Sequence, residues 1–378
     1  ANAFNEAGGV AYKRSPATAL AQYAATGCLN DTFYASADEQ LANVIAFAMD
    51  ASVAPEFAAK TALYARERGR MKDMPALLCA VLSVRSPGLL AEVFDRVIDD
   101  ARMLRNFVQI MRSGAVGRKS LGTLPKRLVQ SWFDRKSDEQ IFRATIGNDP
   151  SLADVIRMVH PKPNSASRVA LYGYILSKPH DESALPEIVR QFESFKKNVS
   201  DPGWKIPDVP FQMLTSLELN EAHWKEIAWN APWQMTRMNL NTFARHGVFG
   251  DEKYTRQIAE RLRDPELVRK AKAFPYQLMI AYSQASADVP NQVREALQDA
   301  MEIAIRNVPK FAGQVFVATD VSGSMHSAIT GHRKGSTSAV RCVDVAALIS
   351  ACVLRKNENA EVIPFKEDVI KGLQLNPR

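Results

Sequence analysis

Apolar positions recur at the three-and-four spacing of amphipathic helices through roughly the first three hundred residues, and no stretch there alternates convincingly as a strand does. The punctuation between these stripes is explicit. Ser15-Pro16 supplies a cap and a first-turn proline for a helix that Gly27 closes. Ser36 with Glu39 forms a capping box ahead of Leu41, Val44, Ile45 and Ala48. Further helices are predicted over Ala54 to Arg68, stopped by Gly69, over Pro75 to Arg85 and over Pro87 to Asp100. Ser137 with Gln140 is a second capping box, and Pro150, Ser165, Pro186 and Pro275 mark later starts. The last stripe before the pattern changes is Val293, Ala296, Leu297, Ala300, Met301 and Ala304. Helix pairs spaced at roughly forty residues are the period of HEAT-like arrays, so the expected body is an all-helical solenoid over residues 1–310.

The pattern breaks at Gln314 to Met325, QVFVATDVSGSM. Its first half is a β-branched run of strand length and its second a polar loop. An amphipathic helix is expected over Ala339 to Lys356, with Val340, Val343, Ala347 and Leu354 inward, followed by a strand at Glu361 to Phe365. Residues 311–378 therefore read as a strand-helix-strand α/β unit.

Composition narrows the class. At 378 residues, 46% hydrophobic and 24% charged, the chain suits a soluble globular protein of two domains. It has no apolar run of about 18 residues, no charged-then-apolar leader at Ala1 and no lipidation motif, so membrane insertion and secretion are not expected. Cys28, Cys79, Cys342 and Cys352 stand far apart, which argues against a disulfide framework or a zinc site and suits a reducing cytoplasm. The net charge of +7 permits a polyanionic partner without demanding one.

Charge becomes informative where it is concentrated. Between Arg112 and Lys136 there are seven basic residues (Arg112, Arg118, Lys119, Lys126, Arg127, Arg135, Lys136) against one acid, Asp134, an excess of six. The first part of this stretch, RSGAVGRKSLGTLP, is glycine-rich, which lets backbone approach a ligand, while the cations can displace counterions from phosphates. The helix start after Pro125 adds unpaired N–H donors. A second basic group, Arg157, His160, Lys162 and Arg168, surrounds the MVHPKP turn about one repeat later. The plainer reading of such residues is a solvated surface, with His160 a capping or packing histidine. No RRM, KH or zinc-knuckle signature accompanies them, so nucleic-acid binding here would act through backbone charge and shape.

The polar loop carries a different chemistry. Asp320, Ser322 and Ser324 form D-x-S-x-S at the carboxyl end of a strand, a partial octahedron of oxygens suited to Mg²⁺. An ordinary Asx or Ser turn has the same composition.

At these residues the chain resembles a known family. QVFVATDVSGSM looks like the metal-ion-dependent adhesion site (MIDAS) of a von Willebrand factor A domain. Gly117 to Phe133 (GRKSLGTLPKRLVQSWF) and Pro232 to Phe249 (PWQMTRMNLNTFARHGVF) are similar to the TROVE module of the Ro autoantigen family. The resemblance covers nearly the whole chain and is strongest to bacterial Ro proteins. It implies a HEAT-repeat ring over 1–310, closed by the A domain around a positively charged hole. It also implies Y RNA on the outer basic surface, single-stranded 3′ ends of misfolded RNA in the hole, and polynucleotide phosphorylase as a tethered nuclease. The implied RNA contacts are Lys126, Arg127 and His160, with Arg118, Lys119 and Lys162 beside them. A monomeric cytoplasmic ring is the implied state. The family's metal site also uses a threonine and an aspartate from two later loops, so the A domain reads as incomplete here and the chain as part of a longer protein. The missing initiator methionine at Ala1 fits a trimmed start.

Two readings follow: a non-catalytic RNA-binding scaffold, or a protein-binding module whose Mg²⁺ at Asp320 takes a partner's carboxylate. A hydrolase is disfavoured, since the body has no Ser-His-Asp spacing, paired carboxylate cluster or P-loop.

Overall fold

The structure, a computed structural model, describes residues 2–4, 8–27, 29, 36–201, 203–329 and 340–372. Ala1, Cys28 and Ala339, named above, lie outside the described residues. Two short strands, β1 (Ala3–Phe4) and β2 (Val10–Ala11), pair antiparallel ahead of the first helix. Sequence pattern offered no sign of them, because two residues cannot display a period. The helices that follow are α1 (Pro16–Thr26), α2 (Ala37–Met49), α3 (Pro55–Glu67), α4 (Asp73–Arg85), α5 (Pro87–Val97), α6 (Ala101–Ser113), α7 (Thr123–Arg135), α8 (Asp138–Arg143), α9 (Leu152–Val159), α10 (Ala166–Ile175) and α11 (Glu187–Lys197). After them come α12 (Glu221–Asn230), α13 (Trp233–Met238), α14 (Leu240–Arg245), α15 (Glu252–Arg263), α16 (Pro265–Ala271), α17 (Pro275–Gln284) and α18 (Asn291–Ala304). The chain then runs through β3 (Val315–Asp320), α19 (Cys342–Lys356) and β4 (Ala360–Phe365).

Two compact units divide this chain. The first is Ala1–Lys197 with Pro207–Ser216, and the second is Asn198–Ile206 with Leu217–Arg378. The change from helices to strand-helix-strand, expected at residue 311, falls inside the second.

Local hydrogen bonding explains where most helices begin. Ser36 accepts from the Glu39 N–H and the Glu39 carboxylate accepts from the Ser36 N–H, the reciprocal arrangement that satisfies two otherwise orphaned donors. Ser137 with Gln140 repeats it at α8, and Ser151 with Asp154 at α9. The start expected at Pro150 thus belongs to Ser151, one residue on. The helix expected over Pro87 to Asp100 ends at Val97, because Ile98 leaves the helical region and Asp100 turns to cap α6, accepting from Met103 N–H at 2.8 Å. An aspartate there serves the next helix better than the last turn of this one.

In the first unit, α4 is apolar on every side and buried from Met74 to Ser83, with α3, α5 and α6 packed around it. Phe94 of α5 meets Phe107 of α6 edge to face at 5.3 Å, and Trp132, Phe133 and Phe142 continue the core. In the second unit, α15 and α17 pack on α18, whose buried stripe is Val293, Ala296, Leu297, Ala300 and Ala304; Met301 lies at its margin.

Successive helices are also joined by arginines that reach to free carbonyls elsewhere in the chain. Arg85 donates to Ala48, Asp50 and Val53 carbonyls, and Arg168 to those of Phe133 and Lys136 while paired with Asp138. In the second unit Arg261 donates to Ala228 and Trp229, and Asn307 to Ala273. The separations of these pairs run from 32 to 37 residues, close to the expected repeat. Carbonyls at helix C-termini lack intrahelical partners, so a planar donor with several N–H groups answers that need.

The α/β segment of the second unit is small. β3 and β4 pair in parallel from Val315 opposite Ala360 to Asp320 opposite Phe365, and α19 packs on both strands. Pro364 is tolerated because no further described strand flanks β4; there the chain only turns back, bridging Phe365 to Val369 and donating from Ile370 N–H to the Pro364 carbonyl at 2.8 Å. The innermost residues of α19 are Val345, Ser350 and Cys352, whereas Val343, Ala347 and Leu354 are only half-buried. The expected inward face is therefore corrected: two described strands cover a narrow stripe, and Ser350 is drawn in by Thr319, hydroxyl to hydroxyl at 2.7 Å. The opposite sheet face leaves Phe316 at 61% exposure. Arg355 of α19 pairs with Glu302 of α18 at 2.8 Å, and Asn357 accepts from Phe311 N–H at 2.7 Å, tying this segment to the last helices.

Arg168 is 4% exposed, so replacing it strands two carbonyls and leaves the Asp138 carboxylate with only the Ser167 hydroxyl among the described residues. Arg168→Met is expected to lower unfolding free energy by roughly 3 kcal/mol in urea titration, and Arg168→Lys to restore little of it. Wild-type stability in the Met variant would show that the arginine joint does not hold the repeats.

Candidate nucleic-acid interface

The basic stretch folds as the end of α6, a loop over residues 114–122 and the start of α7. Gly114, Gly117 and Gly122 have φ of 83°, 80° and 75°, so each glycine makes a left-handed turn that side chains resist. Buried Val116 and Leu121 pin the loop to the body. Shape rather than looseness is what these glycines contribute. Gly122 stands at the N-cap of α7, where no side chain caps the helix, leaving the N–H groups of Thr123 and Leu124 without a described partner. Such a helix start carries partial positive charge and attracts anions.

A cleft of 540 Å³ opens beside this helix start, lined by Arg112, Lys119, Lys126, Arg127, Gln130 and Met158 with the loop residues between them. No carboxylate lines it, and none of its four cations forms an ion pair or side-chain hydrogen bond with a described residue. Elsewhere the cations of the same stretch are engaged. Arg135 pairs with Asp95, and Lys136 reaches the Asp99 carbonyl at 3.1 Å while lying over the Trp132 ring.

The residues singled out from sequence separate into groups. Lys119, Lys126 and Arg127 line the cleft together. Arg118 turns back beneath Gly122 and donates to the Ser83 carbonyl at 3.0 Å. His160 is an exposed left-handed C-cap of α9, with φ 49°. It adjoins the cleft through Gln130, whose amide donates to Val159 at 2.6 Å and to His160 at 3.5 Å. Lys162 is exposed next to it and outside the cleft lining. Arg157 pairs with Asp154, and Arg168 is buried, so neither is a free surface cation. Gln130 and Met158 were not anticipated. The four-residue step from Lys126 to Gln130 on one helix face was the available signal for the first.

In the second unit, Asp320 ends β3 and its Oδ1 accepts from Ser322 N–H at 2.8 Å. The hydroxyls of Ser322 and Ser324 are 3.1 Å apart. An octahedral Mg²⁺ with oxygens at about 2.1 Å has edges of about 3 Å, so the two hydroxyls have the spacing of adjacent ligands. Among the described residues no group of three His, Cys, Asp or Glu side chains is arranged to hold a metal, so a cation here would rely on hydroxyls, water and one carboxylate. No helix of the described residues is long and apolar enough to cross a membrane.

Comparison with known proteins converges on one class. No protein-family model matches the chain. It is 25% identical over 411 aligned residues to the RNA-binding protein RO60 of Deinococcus radiodurans, covering 99% of this chain and 74% of that protein. The RNA-binding protein RO60 of Caenorhabditis elegans is 26% identical over 255 residues, covering 61% of this chain and 38% of that one. In fold, the chain is similar to the crystal structure of the Deinococcus radiodurans RO (RSR) protein, with TM-score 0.68 and 18% identity over 94% of this chain and 76% of that one. The helical body with its terminal strands is thus a Ro-type fold. In sequence the chain is similar to Ro proteins, with a bacterial Ro protein aligned over nearly its full length.

A Cβ at Gly122 would sit 2.7 Å from the Arg118 guanidinium, in backbone geometry that already resists side chains. Gly122→Ala is expected to cost about 1–2 kcal/mol in urea titration. An unchanged midpoint would show that the left-handed turn is not held in solution.

Proposed function

We propose that this protein is a non-catalytic RNA-binding protein whose α7 cleft grips the phosphate backbone. The observation that carries the reading is the set of four unpaired cations, Arg112, Lys119, Lys126 and Arg127, around an uncapped helix start in a cleft without carboxylates. Cations left unpaired in one concave place invite a polyanion, and a helix N-terminus adds oriented N–H donors. The names of the two relatives support RNA as that polyanion. Within this reading, Arg118 holds the loop, and His160 and Lys162 extend the contact surface past Gln130. The finer proposal is a helical TROVE ring module over 1–310 followed by part of a von Willebrand factor A domain over 311–378. This ring would bind Y RNA and single-stranded 3′ ends, serving RNA quality control in the cytoplasm as a monomeric scaffold for an exoribonuclease such as polynucleotide phosphorylase.

A second reading concerns the D-x-S-x-S turn. We propose that Asp320, Ser322 and Ser324 hold a divalent cation, Mg²⁺ by chemistry, supported by the hydroxyl spacing. Bound there, the cation would supply an open coordination position for a partner's carboxylate.

Mobility-shift titration of a structured RNA with a single-stranded tail tests the first reading. Binding is expected to fall steeply with salt, and Lys126→Ala with Arg127→Ala to reduce the log–log salt slope by about two. Salt-independent binding, or none, would overturn it. For the second, Mg²⁺ is expected to raise the melting temperature in a saturable way that Asp320→Ala abolishes. An identical Mg²⁺ response in wild type and variant would remove the metal site.

A further inference from the structure

The second unit contains a cleft of 350 Å³ between α13, α14 and α17, and its chemistry differs from that of the α7 cleft. Its walls are apolar, from Leu240, Ile280 and Ala281, and its polar groups are Arg237 and the amides of Asn241, Gln277 and Gln284, of which Asn241 is engaged by the Gln284 carbonyl and the Ser286 N–H. Arg237 is half-buried and its guanidinium donates once, from Nη1 to the Gln277 carbonyl at 2.9 Å. Its Nε is buried without a hydrogen-bond partner, and no described carboxylate pairs with it.

Arg105 and Arg118 also donate to a single carbonyl, but of these three only Arg237 has a buried Nε with no described partner, and other arginines are far better supplied. Arg85 and Arg294 each donate to three backbone carbonyls, and Arg261 to two carbonyls and the Thr236 hydroxyl. Arginine keeps its proton in proteins, so a desolvated guanidinium cannot escape by neutralising and is stabilised only by acceptors brought to it. An anion from outside would be one. The carboxamide of Gln277 gives its oxygen to the Phe274 N–H at 3.1 Å and keeps its NH₂ group, while the Gln284 side chain has no described partner. Free amides above an apolar wall suit the edge and face of a planar heterocycle.

We propose that this cleft is a nucleotide-binding site, with Arg237 taking a phosphate oxygen and the amides of Gln277 and Gln284 reading the edge of a base laid on Leu240, Ile280 and Ala281. The cleft volume falls at the small end of ligand sites, the size of one nucleotide rather than of a dinucleotide cofactor. The phosphate and base could belong to a free 5′-nucleotide or to one residue of a single strand, and the chemistry of recognition is shared. The proposal extends the RNA-binding reading to a separate site but does not depend on the α7 cleft.

Fluorescence anisotropy on the full chain tests it, with a short labelled oligouridylate as probe and AMP and inorganic phosphate as competitors. Arg237→Gln is expected to weaken the oligouridylate by about tenfold, and Gln284→Ala by a smaller factor, both in the otherwise wild-type chain and on the Lys126→Ala, Arg127→Ala background, where the α7 cleft contributes less. Binding of a structured RNA should respond mainly to Lys126→Ala with Arg127→Ala and little to Arg237→Gln, so failure at one cleft does not imitate failure at the other. Competition by AMP that inorganic phosphate cannot match identifies a free nucleotide as sufficient, whereas displacement by unlabelled oligouridylate alone identifies the strand. Equal oligouridylate affinity in wild type, Arg237→Gln and Gln284→Ala, with unchanged melting temperatures, would overturn the proposal. So would a wild type that binds neither oligouridylate nor AMP.

Discussion

Helix-repeat proteins face a recurring problem: every helix ends in carbonyls that nothing within the helix can satisfy. Here arginine solves it, most fully at Arg85, Arg168 and Arg261, each of which carries its guanidinium to carbonyls about one repeat away. The side chain is long, always charged and forked, so one residue can serve several acceptors at once. Packing of α3 to α6 around the apolar α4, and of α15 and α17 on α18, supplies the gross burial. The arginines set the register in which those helices meet.

This use of arginine explains what could and could not be read in advance. Serine caps at Ser15, Ser36, Ser137 and Ser165 were legible because both partners lie within three residues of each other. The turn at Asp320 was legible for the same reason. Sorting the basic residues was not, since Arg118, Arg157 and Arg168 look alike in sequence and differ only through Ser83, Asp154 and Asp138. Two of those three partners are 30 or more residues away. The inward face of α19 was missed on similar grounds. A helix declares which side is apolar, but how much of that side is covered depends on the width of the sheet beneath it.

The net positive charge acquires meaning once those engaged arginines are set aside. A cation that already has its acceptors contributes little to recognition, and most of the buried ones do have them. What remains at the α7 cleft is a small group held on a helix start and on a loop whose three left-handed glycines fix its path. The loop therefore behaves as part of the scaffold, so the recognition proposed there would begin from a prepared surface with little to order on contact.

The helix starts and the joints between repeats respond differently to acid. Asp154, whose carboxyl is held below its usual range by the hydroxyl and N–H of Ser151, and Glu39, lowered likewise by the Ser36 N–H and hydroxyl, stabilise the fold only while ionised. Their contribution is complete above the ordinary carboxylate range and disappears as pH drops through the lowered values. The arginine donors stay charged throughout, and where their acceptors are carbonyls, those do not titrate. Souring the solution therefore frays the beginnings of individual rods while the seams stitched between them persist.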